Sequence, residues 1–204
     1  MADGDEGKRA RRVADTRARL IDVSLDLYVS QGFTKTTVEQ IAAAAGIGRS
    51  SFFRYFASKE AVLFAPALAP YAWFIDQLDT RPDGEPLLVS VATICVKGSW
   101  PTIDRHDIVR SRRVLKAEPS LQDAIPAQLT STSRQLTDRL RERAPDADVL
   151  VVRAIADLTV DWTDAAITAH IKDGRPLAGH FADVIRATVS LTADLAAIAG
   201  TILD

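Results

Sequence analysis

Residues 34–60 read Thr-Lys-Thr-Thr-Val-Glu-Gln-Ile-Ala-Ala-Ala-Ala-Gly-Ile-Gly-Arg-Ser-Ser-Phe-Phe-Arg-Tyr-Phe-Ala-Ser-Lys-Glu. The spacing predicts two short helices joined by a tight turn. Thr36 followed three residues later by Glu39 has the form of a capping box, hydroxyl to the third amide and carboxylate back to the cap amide. Val38, Ile41, Ala42 and Ala45 then recur at helical intervals and share one apolar face. Gly46 stands where a helix end wants positive φ, Ile47 is placed to plug the corner, and Gly48 to cap the second helix. In that second helix Phe52 and Phe56 are four apart and point inward together, while Arg49, Ser50, Phe53 and Arg54 fall on other faces. A small-residue helix, a glycine turn and a second helix presenting Arg and Ser near its start describe a helix-turn-helix.

The spaced residues Phe33-Thr-x-Thr-Thr-Val-x-x-Ile-Ala-x-x-Ala-Gly-Ile47 and Ser51-Phe-Phe-Arg-Tyr-Phe-x-Ser-Lys-Glu60 resemble the DNA-binding domain of TetR-family transcriptional regulators. The likeness covers about residues 14–63; beyond it only the length and helix pattern agree. It implies an all-α fold: an N-terminal three-helix helix-turn-helix domain followed by a larger helical domain for ligand binding and dimerisation. It also implies a repressor whose two heads read an inverted repeat of double-stranded DNA and are released when a small molecule binds the larger domain. The Arg49–Phe56 helix would enter the major groove, with Arg49, Ser50, Ser51 and Arg54 as candidates for base or phosphate contacts. Thr37, Tyr55 and Lys59 match phosphate-contacting positions of the family. Phe53 stands where the family usually has Tyr; it loses a hydroxyl but could pack on a thymine methyl. A rival reading is a helical ligand-binding or catalytic protein that no longer binds DNA.

Composition agrees with a globular protein: 47% of the 204 residues are hydrophobic and 25% charged, a balance that does not describe a disordered chain. One cysteine, Cys95, rules out an internal disulfide and a cysteine metal cluster. No apolar run follows Met1, and the uncharged run from Ala61 to Ile75 is shorter than a membrane span, so a cytoplasmic protein without membrane contact is expected. Residues 1–60 hold 10 Lys+Arg against 8 Asp+Glu, whereas the remainder holds 15 against 19. The sign suits a DNA-binding head on an acidic body, although the difference is modest.

Residues 1–13 carry Lys8, Arg9, Arg11 and Arg12 and are expected to be a disordered basic arm, either lying against DNA or solvated. The head then spans 14–57, its first helix about Asp15 to Gln31 with a stripe of Leu20, Ser24, Leu27 and Tyr28. The larger domain takes 58–204. Ser58 is the expected cap of its first helix, in which Pro66 and Pro70 should kink or interrupt the run. Lys59 in the first turn opposes the helix dipole, which suggests an anion nearby. Further helices are expected over about 87–96, from Pro101 to about 116, about 120–143, 148–173 and 176–202.

The last of these carries Phe181, Val184, Thr188, Leu191, Leu195 and Ile198 at near-heptad spacing, with Asp194 the only charge between Ala187 and Leu203. Such a helix needs cover on more than one side, and a second copy of the chain is the natural cover. The resemblance likewise implies a dimer interface there. Trp73, Trp100 and Trp162, with Arg110 and Arg113, are the candidate ligand-site residues. Asp161 and Asp164 beside Trp162 would suit a cationic aromatic ligand, and Arg110, Arg112 and Arg113 an anionic one; the sequence leaves both open. His106, His170 and His180 lack metal-ligand spacing, and no nucleophile elbow, phosphate loop or HExxH motif occurs. No catalytic residue, cofactor or metal is therefore assigned.

Overall fold

The computed structural model describes residues 3–100 and 105–202, and for the helical stretches 3–6 and 193–202 the backbone alone. All regular structure among them is helical: α1 (Asp3–Gln31), α2 (Val38–Ala44), α3 (Arg49–Phe52), α4 (Lys59–Leu78), α5 (Leu87–Lys97), α6 (Arg105–Ala117), a 3₁₀ turn (Pro119–Leu121), α7 (Ala124–Arg143), α8 (Val149–Asp173) and α9 (Leu177–Ile202). The chain divides into two compact units. One comprises residues 1–69 with 103–123, the other 70–102 with 124–204. The division falls at Pro70 inside α4, and α6 belongs with the head. It therefore differs from the expected boundary at residue 58.

The core of the first unit is the one the stripe analysis points to. Leu20, Leu25, Tyr28, Phe33, Ile41, Phe52 and Phe56 are buried, joined by Val62 and Leu63 of α4 and Ile108, Val114 and Leu115 of α6. What the sequence did not show is how α6 is held to α1. The Arg110 guanidinium is buried and donates to the carboxylates of Asp22 and Asp26 on α1 and of Asp107 on its own helix. The Ser111 hydroxyl donates to the Leu63 carbonyl at 2.7 Å. Burying a guanidinium is costly unless it is paired; three carboxylates meet its two terminal nitrogens, while Nε is left without a partner.

Three local expectations need correction. The residues of the expected disordered arm from Asp3 onward continue α1, because Lys8-Arg-Ala-Arg-Arg-Val-Ala14 are mostly good helix formers and extending an existing helix avoids the cost of nucleation. Residues 7–15 nevertheless remain exposed, so this extension is helical without being packed. The cap of α2 lies one residue later than read: Thr37 accepts from the Gln40 amide at 3.2 Å, and the Gln40 side chain accepts from the Thr37 amide at 2.9 Å. Thr36 is instead buried, its hydroxyl donating to the Gly32 carbonyl at 2.8 Å. Finally, Pro66 and Pro70 do not interrupt α4. Each removes only one backbone donor from a helix whose Val62, Leu63, Phe64, Tyr71, Phe74 and Leu78 are all buried, so packing outweighs the loss. This same α4 is long and apolar enough by composition to cross a membrane, contrary to the run-length estimate, but its buried residues are those of a core helix.

The turn between α2 and α3 forms as the glycine spacing requires. Gly46 has φ +70; its amide reaches the Ala43 carbonyl at 3.0 Å and the Ile47 amide that of Ala42 at 2.9 Å, a Schellman closure. The start of α4 is stapled to this region by Lys59, whose ammonium donates to the carbonyls of Phe33 (2.9 Å) and Thr36 (3.0 Å) and sits 4.3 Å from the centre of the Phe33 ring. Tyr28 donates to the Lys59 carbonyl at 2.8 Å, and Ser58 caps the helix through the Ala61 amide at 3.2 Å, as expected. The lysine that opposes the helix dipole is therefore met by carbonyl oxygens of its own chain.

In the second unit α8 packs between α7 and α9, and α5 packs on α9. Asp148 caps α8 by accepting from the amides of Leu150 and Val151. Arg143 donates to the carbonyls of Leu78 (2.8 Å), Arg81 (3.2 Å) and Pro82 (2.9 Å) and ties the 80–86 loop to α7. The expected start of α6 at Pro101 lies outside the described residues. The helix expected to begin near Ser120 begins instead at Ala124, after the 3₁₀ turn, which leaves Pro126 in the first turn where its missing donor costs nothing.

Two measurements check this arrangement. Gly46→Ala should destabilise the protein by about 1–2 kcal/mol, the cost of a Cβ at positive φ, seen as a lower urea midpoint at unchanged slope. Lys59→Met should lower stability by about 1–3 kcal/mol, because two inward carbonyls lose a charged donor. An unchanged urea midpoint would show that Lys59 faces solvent instead.

Candidate nucleic-acid interface

The α-helical part of the second short helix ends at Phe52, earlier than the Phe56 read from the sequence. Turns carry the chain through Phe53–Tyr55, and the Phe56 amide still reaches the Phe52 carbonyl at 3.0 Å. The inward pair is as expected: Phe52 and Phe56 are buried with ring centroids 6.1 Å apart. That anchors one side of the segment and leaves Arg49, Ser50, Phe53 and Arg54 exposed on the other. Gly48 occupies the cap position of α3 without a side-chain bond, so the amides of Arg49 and Ser50 have no partner among the described residues, while those of Ser51 and Phe52 reach the Gly48 carbonyl at 2.9 and 3.2 Å.

The exposed side is organised. Arg49 donates its Nε to Glu39 of α2 at 2.6 Å and lies over the Phe53 ring, 5.1 Å from the centroid. Arg54 donates to the Ser51 hydroxyl at 3.0 Å. The Thr37 hydroxyl accepts the Gln40 amide as the α2 cap and hydrogen-bonds the Glu39 carboxylate beside it. Tyr55 is half-buried, and its carbonyl accepts from Arg17 of α1 at 2.9 Å; the Arg17 guanidinium also lies 4.2 Å from the Phe56 ring centroid. Burial lowers the pKa of this arginine. Lys59, a phosphate candidate on the family pattern, spends two of its three N–H donors inside the fold. Glu39 and Arg17 help to order this side, and the sequence reading did not single them out for it. A carboxylate ten residues before an exposed arginine, across a Gly turn, was the signal for the first; nothing local pointed to the second.

The ligand candidates do not converge. Trp73 and Trp100 lie with ring centroids 4.3 Å apart, and Trp100 stacks on Phe181 at 4.8 Å and 17°. The Trp100 indole donates to the Cys95 carbonyl at 3.0 Å. The space is tight: a Cβ added to Gly98 would come within 2.6 Å of Trp73. Trp162 is buried elsewhere in the same unit, its indole donating to Thr188 at 2.9 Å, while its neighbours Asp161 and Asp164 are exposed. Arg110 is committed to its three carboxylates, and Arg113 is exposed beside a cavity of about 250 Å³ lined by Tyr28, Phe33 and Glu118. Both arginines belong to the first unit and not to the unit of the tryptophans.

Of the proposed interface residues, Phe181 is fully buried within its own chain and so is not at a surface; stacking on Trp100 claims it. Val184 and Thr188 are half-buried, Leu191 is 62% exposed, and the side chains of Leu195 and Ile198 lie outside the described residues. Cys95 is fully buried, and burial pushes its thiol well above the usual range, which makes it a core residue rather than a nucleophile.

Residues 20–65 match the family described as bacterial regulatory proteins, tetR family. The chain is 46% identical over 79 residues to the HTH-type transcriptional regulator TcmR of Streptomyces glaucescens, covering 39% of this chain and 35% of that one. It is 33% identical over 123 residues to the transcriptional regulator named MftR in Mycobacterium tuberculosis, covering 57% of this chain and 60% of that one. The chain thus spans between about a third and three-fifths of the length of these curated relatives. A transcriptional regulator of Aquifex aeolicus VF5 aligns over 87% of this chain and 99% of its own at 16% identity and a TM-score of 0.45. With the capped α2, the Gly46 turn and the Phe52–Phe56 anchor in place, the head spanning residues 20–65 belongs to the tetR family of bacterial regulatory proteins.

Proposed function

We propose that this protein is a DNA-binding transcriptional repressor, dimeric and released from its operator by a small molecule bound in the second unit. The observation that carries the reading is the two-sided α3 segment. Phe52 and Phe56 fix it to the core while Arg49, Ser50 and Arg54 face outward beside the free amides of its first turn. A helix start with cationic and hydroxyl side chains is suited to a major groove, where arginine meets guanine acceptors and amides meet phosphate. The Thr37 hydroxyl and Tyr55 flank the same segment and are assigned to phosphates. The exposed basic stretch Lys8–Arg12 at the start of α1 adds sequence-independent attraction. The names of the matching relatives, both transcriptional regulators, support the same reading.

A second copy of the chain is proposed to cover α9, where Val189 and Leu191 are each 62% exposed on a helix otherwise poor in charge. The ligand site is assigned to the Trp73–Trp100–Phe181 cluster. A planar apolar molecule would enter by displacing one of these rings, which makes the site responsive rather than preformed.

A gel shift on DNA flanking the coding sequence, run at several salt concentrations, tests DNA binding. Arg49→Ala should weaken the specific complex by about 1–3 kcal/mol, and replacing a phosphate-contacting cation should reduce the salt slope by about one. Binding that is insensitive both to salt and to Arg49 would remove this face from consideration. Sedimentation tests assembly: the wild type should be a dimer at micromolar concentration, and Leu191→Arg should shift it toward monomer because a buried charge lacks a counterion. A wild-type monomer would contradict the proposed cover for α9.

A further inference from the structure

We propose that Glu39 is a positioning residue that, with Phe53, presets Arg49 as the guanine reader of the α3 segment. The inference rests on the DNA-binding reading above and adds to it which base is read and what makes the reader rigid. Glu39 is released for this task because Gln40, not Glu39, supplies the return bond of the α2 capping box. Its carboxylate instead takes the Arg49 Nε at 2.6 Å across the Gly46 turn. The guanidinium carbon lies over the Phe53 ring, 5.1 Å from its centroid. The edge and one face of the group are thus fixed, while Nη1 and Nη2 have no partner among the described residues. Two parallel donors on a fixed plane match the O6 and N7 acceptors of guanine in the major groove, and no other base edge offers two acceptors there.

Two further observations separate this role from bland ones. The Arg49 and Glu39 side chains are 62% and 61% exposed, so the pair adds little to folding stability. An acid on a surface meant for phosphates costs attraction, so the pair makes no sense as a device for raw affinity. What it supplies is orientation: an arginine held in place loses less side-chain freedom when it binds. Its own amide in the first turn of α2, and then Arg49, hold the Glu39 carboxyl below the ordinary range, which keeps it charged at neutral pH. Phe53 also acquires a reason to be an apolar ring, since a platform for a guanidinium needs a face and not a hydroxyl.

The test selects duplexes from a random-sequence pool with the wild-type protein, then measures affinity by fluorescence anisotropy on the selected duplex. Copies carrying 7-deazaguanine at single positions lack the N7 acceptor. The wild type should lose about 5- to 100-fold at one guanine in each half-site, the range for a bidentate pair. Glu39→Ala should shrink that penalty while the thermal midpoint and non-specific binding hold or rise, and Glu39→Gln, whose amide oxygen still accepts from Nε, should keep most of it. In an Arg49→Ala background Glu39→Ala should have no further effect on discrimination, the non-additivity of a residue acting through another. The inference is overturned if Glu39→Ala leaves the 7-deazaguanine penalty intact, including the case in which it tightens the specific complex by unmasking Arg49. It is equally overturned if Glu39→Ala changes base preference when Arg49 is already absent, since Glu39 would then touch a base itself. A wild-type protein that enriches no sequence from the pool removes the DNA-reading function, and this inference with it.

Discussion

The head depends on one ammonium group. Lys59 Nζ donates to the carbonyls of Phe33 and Thr36 and rests on the Phe33 ring, while the carbonyl of the same residue accepts from Tyr28. Within the first unit a single residue therefore ties the end of α1, the loop after it and the first turn of α4. The α2 cap, Thr37, follows Thr36 directly, so the position of α2 is set by the carbonyl that Lys59 holds. The position of α3 follows in turn through the Gly46 closure, whose two amide bonds leave the turn little freedom. A charged donor to two inward carbonyls is a stronger tie than a neutral one, and costlier to lose.

Much of this was legible in the sequence because its signals are local. The Phe52–Phe56 spacing, the glycine after Ala45 and the Ser58 cap each rest on contacts within five residues, and each appears as read. Other expectations failed where tertiary contacts decide. Thr36 and Thr37 are equivalent as caps on paper; burial of Thr36 against the Gly32 carbonyl hands the role to Thr37. Two prolines could not break α4 because the apolar face around them is covered. Lys59 read as a cation awaiting an anion because the carbonyls it meets are more than twenty residues away in sequence.

The ligand candidates show the limit of composition. Five residues were chosen because they are large or charged, and the fold disperses them. Arg110 is consumed by an α1–α6 clamp that no periodicity predicts, since its partners Asp22 and Asp26 lie 88 and 84 residues upstream. Trp162 spends its N–H on Thr188. Only Trp73 and Trp100 meet, and Phe181, chosen for an interface on heptad spacing, joins them inside the core. Heptad position states which side of a helix is apolar but not which neighbour covers it. Arg49, Ser50, Phe53 and Arg54 stay together on one exposed side because a rigid local motif presents them, whereas Lys59 turns inward; the pairing of Glu39 with Arg49 adds a constraint on that side that the motif alone does not carry.

The central claim is that the outward side of the α3 segment, set by the inward Phe52–Phe56 pair, is the surface that reads DNA. Titration of the ¹⁵N-labelled protein with its selected duplex tests it most directly. The account predicts that the largest amide shifts cluster at Gly48–Tyr55 and Thr37, saturate together, and persist for Gly48–Tyr55 as salt is raised while the shifts of Lys8–Arg12 fade. Saturation of the duplex with the Gly48–Tyr55 amides unmoved would contradict it.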